Sequence, residues 1–227
     1  MEANTFASFS LGHVLKFAIL ILLAISSITS ACEDNSTIPT NSPKTNLSYT
    51  SNAPSNSTNT NDFKTYIKNS CNSTTYPYIC YKSLSPYAST IEADPLKLCN
   101  TSLSVALNAA RDASSAISKL LNNDENKLSS IGEEVVQDCL GNVKDSIEQL
   151  QDSLDAMAHL DAYFDREFQI SNMKTWVSSA ITNDQTCYDG FDDMNVDSTL
   201  GDKIRRRVLN VARKTSNALY FINNNIY

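Results

Sequence analysis

MKTWVSSAITNDQTCYDGF, residues Met173 to Phe191, carries two stripes at helical spacing. Met173, Val177, Ala180 and Cys187 recur at intervals that put them on one side of a helix of about 3.6 residues per turn. Lys174, Ser178, Thr182 and Thr186 follow one another every four residues, a ridge of mostly short polar side chains that faces solvent or a partner. On spacing alone such a ridge is a solvated face. Gly190 supplies a C-terminal stop.

The same apolar period occurs three more times. Asp94-Pro95 opens one helix, where a proline costs no hydrogen bond, and Cys99, Leu103, Ala106, Ala110, Ala113, Ile117 and Leu120 form its seam. Ser130-x-x-Glu133 reads as a capping box. It precedes a seam of Ile131, Val135, Cys139, Val143, Ile147, Leu150, Leu154 and Met157. Ile204, Val208, Val211, Thr215, Ala218 and Ile222 make the last. Four amphipathic helices with short polar connections predict an all-α protein, an up-and-down four-helix bundle over residues 93–227. Residues 63–92 break into pieces too short for bundle helices and read as a helical hairpin. Its Tyr66, Ile67, Tyr78, Ile79, Tyr81 and Leu84 need burial against the bundle or a second molecule.

Upstream, residues 1–31 combine Lys16, the apolar run FAILILLAISSI and a small-residue TSA, the pattern of a secretory signal peptide. The run is shorter than the roughly 20 residues of a membrane span, so the expectation is a soluble, exported product with no membrane partner once the signal is cleaved. Residues 32–62 are dominated by Ser, Thr, Asn and Pro and read as a flexible linker. Acceptor sequons for N-glycosylation begin at Asn35, Asn46, Asn56, Asn72 and Asn100.

The formal charge is −7 over 227 residues, and removing the signal leaves it unchanged because Glu2 and Lys16 cancel. An acidic chain argues against nucleic acid as a partner. Arg205, Arg206 and Arg207 form the only basic run; without aromatic platforms or a second basic block it reads as a solvated helical turn. In an exported protein cysteines default to disulfides. Cys71 and Cys80 flank the hairpin turn and are its local pair, a closure worth about 2 to 3 kcal/mol in the chain-entropy model. Cys139 and Cys187 share seam positions on adjacent helices, and their longer loop is worth about 4 kcal/mol. Cys99 occupies a core slot as a free thiol, and Cys32 lies in the cleaved or flexible arm. Spacing alone does not prove this connectivity.

Catalytic chemistry finds little purchase. His13 leaves with the signal, and His159 is the only other histidine, too few for a nucleophile–histidine device or a histidine metal site. The acidic run from Asp193 has Ser198 where a calcium loop needs glycine and Ile204 where it needs glutamate. No glycine loop cradles phosphate in a chain with 5 glycines. Asp145 and Glu148 share a helical face, but with no apolar pocket to raise a pKa they read as recognition charges. The expectation is a non-enzyme with no cofactor and no metal.

CNSTTYPYIC, QDCLGNVKDSIEQLQDSL and TWVSSAITNDQTCYDGF, in this order after a signal peptide, resemble the plant invertase and pectin methylesterase inhibitor family. The resemblance covers nearly all of residues 63–227 and implies a disulfide-linked four-helix bundle with an N-terminal helical hairpin. It implies bonds Cys71–Cys80 and Cys139–Cys187, with Cys99 outside the framework. TWVSSAITNDQTCYDGF is similar to the pectin methylesterase side, and AYFDREF stands where invertase inhibitors carry Pro-Lys-Phe. The chain stops at Tyr227 without a catalytic domain, so it resembles a stand-alone inhibitor rather than an enzyme pro-region. The resemblance implies a one-to-one complex with pectin methylesterase in the apoplast or cell wall, the second and third bundle helices covering the pectin-binding cleft. Thr186, Asp145, Glu148 and Lys174 match contact positions, Lys174 standing where a related inhibitor has a neutral polar residue; Ser178 and Thr182 complete the ridge. An inhibitor of acid invertase, and a non-inhibitory interaction protein that dimerises through the hairpin, are the alternatives.

Overall fold

The computed structural model describes residues 56–122, 128–160, 165–193 and 198–226. The expected signal peptide and the linker up to residue 55, with Cys32, Asn35 and Asn46, lie outside these residues. Two helices, α1 (Asn56–Cys71) and α2 (Pro77–Leu84), form the hairpin. A 3₁₀ turn (Ser85–Tyr87) and the single turn α3 (Ala88–Ile91) lead from it to the bundle helices α4 (Pro95–Leu121), α5 (Ser130–Ala158), α6 (Arg166–Asp193) and α7 (Ser198–Asn225). Helix α1 thus begins inside the stretch that composition assigned to the linker; Ile67 and Cys71, fully buried downstream, hold a helix whose first turns are polar.

The bundle helices form a ring in which each packs on its neighbours in sequence and α7 closes on α4. Short connections make neighbours antiparallel, and the two sides that matter below, α5 with α6 and α4 with α7, are opposite faces. The α4 seam is buried from Cys99 to Ile117, and every seam residue of α7 is inaccessible to solvent, joined by Phe221. Burying each of these large side chains contributes about 1.5–3 kcal/mol. Asp94 caps α4 by accepting from the Lys97 backbone N–H at 2.9 Å, with Pro95 as first helical residue. The cap of α5 lies one residue earlier than its sequence suggests: Ser129 Oγ accepts from Gly132 N–H at 3.1 Å, and Glu133 turns to accept from Gln137. Ile131, in the first turn of α5, is 53% exposed, so the expected seam position there fails and the buried stripe begins at Gly132, Val135 and Val136.

The hairpin lies on its own bundle. Ile67, Leu84 and Ile91 are fully buried, whereas Tyr78 is 75% exposed, its ring under the Lys82 ammonium, so the expectation of burial fails for that one tyrosine. A bond between Cys71 and Cys80 closes the turn. Asn217 on α7, itself buried, donates to the Tyr76 carbonyl and accepts from its N–H, each at 3.1 Å, and Arg213 covers the Tyr76 ring. The backbone passes from hairpin to bundle through Glu92 and Ala93, both at positive φ, a costly conformation for residues with a Cβ. Glu92 is held there by an ion pair with Lys97.

Candidate functional site

Helices α5 and α6 stand side by side, and the bond between Cys139 and Cys187 brings their backbones to a Cα–Cα distance of 4.3 Å. Away from the disulfide the pair is joined by polar side chains. Gln149 donates to Ser179 Oγ at 2.9 Å and accepts from Asn183 at 3.2 Å. One turn nearer the disulfide, Ser146 Oγ lies 3.0 Å from both the Ala180 carbonyl and Asp184 Oδ1. A helix pair so fastened presents its outer side chains on a rigid support.

The polar ridge of α6 is a ladder of hydroxyls turned back onto their own helix. Ser178 donates to the Lys174 carbonyl at 2.7 Å, Thr182 to that of Ser178 at 3.1 Å and Thr186 to that of Thr182 at 2.9 Å. All three are exposed, and Lys174 at the head of the ladder is half-buried. Because each proton is engaged inward, the hydroxyls offer lone pairs outward. The three hydroxyls therefore accept and suit a partner that brings N–H or O–H groups, while the Lys174 ammonium at their head donates.

At its C-terminal end the ladder meets a groove of about 470 Å³ between α5 and α6, lined among others by Asp138, Gly141, Asn142, Asp145, Thr186 and Gly190. Thus Asp145 and Thr186, 41 positions apart by their numbers, share one concavity over the disulfide. Glu148 is exposed one turn along α5 from Asp145 and does not line the groove; Lys174, Ser178 and Thr182 extend from it as surface. Gly141 and Asn142 escaped the sequence reading, and Gly190 was read only as a helix stop, although Asp138, Gly141, Asn142 and Asp145 repeat at helical spacing beside Cys139. Gly190 does not end the helix, which continues to Asp193, and no described glycine has positive φ. A Cβ on Gly141 would meet nothing within 4 Å, and one on Gly190 only Val135 Cγ1 at 4.0 Å. Packing thus demands neither glycine, and both leave the rim of the groove low.

The sequence reading also skipped Asp184, an acid on the apolar stripe between Ala180 and Cys187. It is fully buried, and its Oδ2 has no hydrogen-bond partner among the described residues. Burial pushes the carboxyl up to about 7, against the smaller opposing effect of the Ser146 hydroxyl. The folded protein therefore holds a proton at Asp184 that the unfolded chain, with an ordinary carboxylate, releases near pH 4. Asp184's contribution to stability is then fully present below about pH 4 and is lost as pH rises to about 7, by up to about 1.4 kcal/mol per pH unit. Thermal melts of the wild type should drop by several degrees between pH 5 and pH 8, and Asp184→Asn should flatten that dependence. A wild-type melting temperature that rises over this interval would contradict the assignment.

Of the sequons within the described residues, Asn72 and Asn100 are exposed, the first in the hairpin turn and the second on α4, and Asn56 begins α1. Cys99 is a buried free thiol whose pKa burial pushes up to about 12, which leaves it unreactive. Among the described residues no cluster of three or more His, Cys, Asp or Glu could hold a metal, and no helix is long and apolar enough to cross a membrane.

The sequence profile described as "Plant invertase/pectin methylesterase inhibitor" matches residues 65–221. The chain belongs to the plant invertase/pectin methylesterase inhibitor family. Within that family it is 42% identical over 160 residues to pectinesterase inhibitor 10 of Arabidopsis thaliana, covering 70% of this chain and 50% of that protein. It is 40% identical over 161 residues to a 21 kDa protein of Daucus carota, covering 70% of this chain and 82% of the relative. The crystal structure of a mutant form of a pectin methylesterase inhibitor from Arabidopsis superposes with a TM-score of 0.55 at 16% identity, over 68% of this chain and 93% of that one. At that identity the likeness concerns the fold: a helical bundle, as the periodicity predicts. The family is one of inhibitors.

Proposed function

We propose that this chain is an exported inhibitor of pectin methylesterase that binds the enzyme one-to-one through α5 and α6 and covers its pectin-binding cleft. The observation that carries this reading is the exposed hydroxyl ladder running into the groove of Asp145 and Thr186 on a disulfide-fastened helix pair. Inhibition of this kind needs no nucleophile. It needs a rigid face whose acceptors and carboxylates replace the contacts of a sugar polymer, and rigidity lowers the ordering cost of association. Asp145, Glu148 and the net charge of −7 steer the protein toward a basic enzyme, so complex formation should slow as salt screens the charges.

Titration of the purified, disulfide-intact protein into pectin methylesterase and, in parallel, acid invertase tests the reading. Activity of the first should fall to its floor near equimolar inhibitor while the second is untouched. Loss of invertase activity alone would make the chain an invertase inhibitor; inertness in both assays would leave an interaction protein. In the last case the exposed Tyr78 and Tyr87 of the hairpin region offer a surface for a homodimer, visible on sizing.

A further inference from the structure

On the face of the bundle opposite α5 and α6, helices α4 and α7 enclose a groove of about 670 Å³ lined by Lys119, Lys203, Arg206 and Arg207, with Leu120 and Asn210 among its uncharged walls. The arginine run does not act as one block. Arg205 turns aside, its guanidinium 5.6 Å from the ring of Tyr188, while Arg206 and Arg207 face the groove. There they meet Lys119 from a helix more than 80 positions earlier in the chain, a second basic contribution that the linear sequence hides. The lining contains no carboxylate, and none of the four cations has an ion-pair partner among the described residues. In a chain of net charge −7 this is a local positive trough.

We propose that this trough binds a linear polyuronate, the de-esterified carboxylate form of the polymer on which the inhibited enzyme acts. Lys203 and Arg206 stand one turn apart along α7, about 4.5 Å at about 1.5 Å of rise per residue, with Arg207 beside them, Lys119 facing from α4 and the neutral amide of Asn210 one turn further, so the cations run along the trough in the sense that suits an extended chain of carboxylates. Both arginines have planar forks that pair carboxylates bidentately. An acidic protein partner would call for apolar or aromatic anchors at the centre of its contact, and Leu120 is the only large apolar side chain in the lining. The choice of uronate rests on the inhibitor reading above. Because the trough and the α5–α6 face lie on opposite sides of the bundle, polymer and enzyme can be held together, anchoring the inhibitor where the enzyme has already exposed carboxylates.

The test measures binding of the whole protein, with no enzyme present, to de-esterified galacturonan, fully methyl-esterified galacturonan and poly-glutamate. The wild type should bind the first at least tenfold more tightly than the other two. Arg206→Gln with Arg207→Gln, or Lys119→Gln alone, should weaken that binding at least tenfold and about threefold respectively, whereas Lys144→Gln on exposed α5 should not. Calorimetric binding of the Arg206→Gln/Arg207→Gln protein to pectin methylesterase should match the wild type. Absence of polymer binding, equal retention of poly-glutamate, or equal loss in the Lys144→Gln control would overturn the proposal. A chain that binds polyuronate yet leaves pectin methylesterase active would instead overturn the inhibitor reading alone.

Discussion

Replacing Ser178 and Thr182 together by tryptophan is expected to weaken inhibition of pectin methylesterase at least about 100-fold, which corresponds to about 2.7 kcal/mol of binding. Both residues are exposed on α6, and each hydroxyl bonds only to a carbonyl of its own helix. Their removal therefore opens no cavity and strands no buried group, and serine, threonine and tryptophan have similar helix propensities. The change should act on the partner: two indoles, one turn apart, stand where a flat row of oxygen lone pairs was, and hold the enzyme off the rigid face. Far-ultraviolet circular dichroism and the melting temperature should be close to wild type. Undiminished potency in a variant that folds normally would mean that the enzyme is met elsewhere.

The second large effect is on stability. Replacing Cys139 and Cys187 by alanine should cost about 4 kcal/mol on the chain-entropy model for a loop of 48 residues. For a domain of this size that corresponds to a melting temperature roughly 8–16 °C lower. Removing Cys71 and Cys80, nine residues apart, should cost less, about 2 to 3 kcal/mol. Denaturant titrations of the two double variants give the ordering directly, and a larger loss from the hairpin bond would refute it. Because α5 and α6 keep the Gln149–Ser179–Asn183 bonds and the Ser146 layer, the variant lacking the long-loop bond should still inhibit at temperatures where it is folded, with potency nearer to wild type than that of the tryptophan variant.

The bundle was legible because its seams repeat a period that only a helix satisfies, and because its loops are too short for anything but antiparallel neighbours. Cys139 and Cys187 were legible as a candidate pair because both occupy apolar seam positions, but Cys99 does too and stays a free thiol, so the pairing itself rested on the family resemblance. What failed to show were features that need a second element in view. Asp184 breaks the apolar pattern of α6, and nothing along α6 says that Ser146, 38 positions away, sits opposite it. The helix stop read into Gly190 is the converse error, since glycine in a helix marks an end only when the backbone turns left-handed there, and here it does not. Arg205, Arg206 and Arg207 looked like one solvated run because Lys119 and the rings of Tyr188 and Phe191, which divide them, are distant in the chain. The ridge was found by spacing, but its directionality came only with the hydrogen bonds.

That directionality reaches beyond the enzyme. A row of hydroxyls whose protons are all spent inward, ending in the groove that Asp145 lines, is a poor match for the same row on a second copy: lone pair would meet lone pair. The ladder is thus protected from sticking to its own kind, and stays vacant until a donor-rich surface arrives.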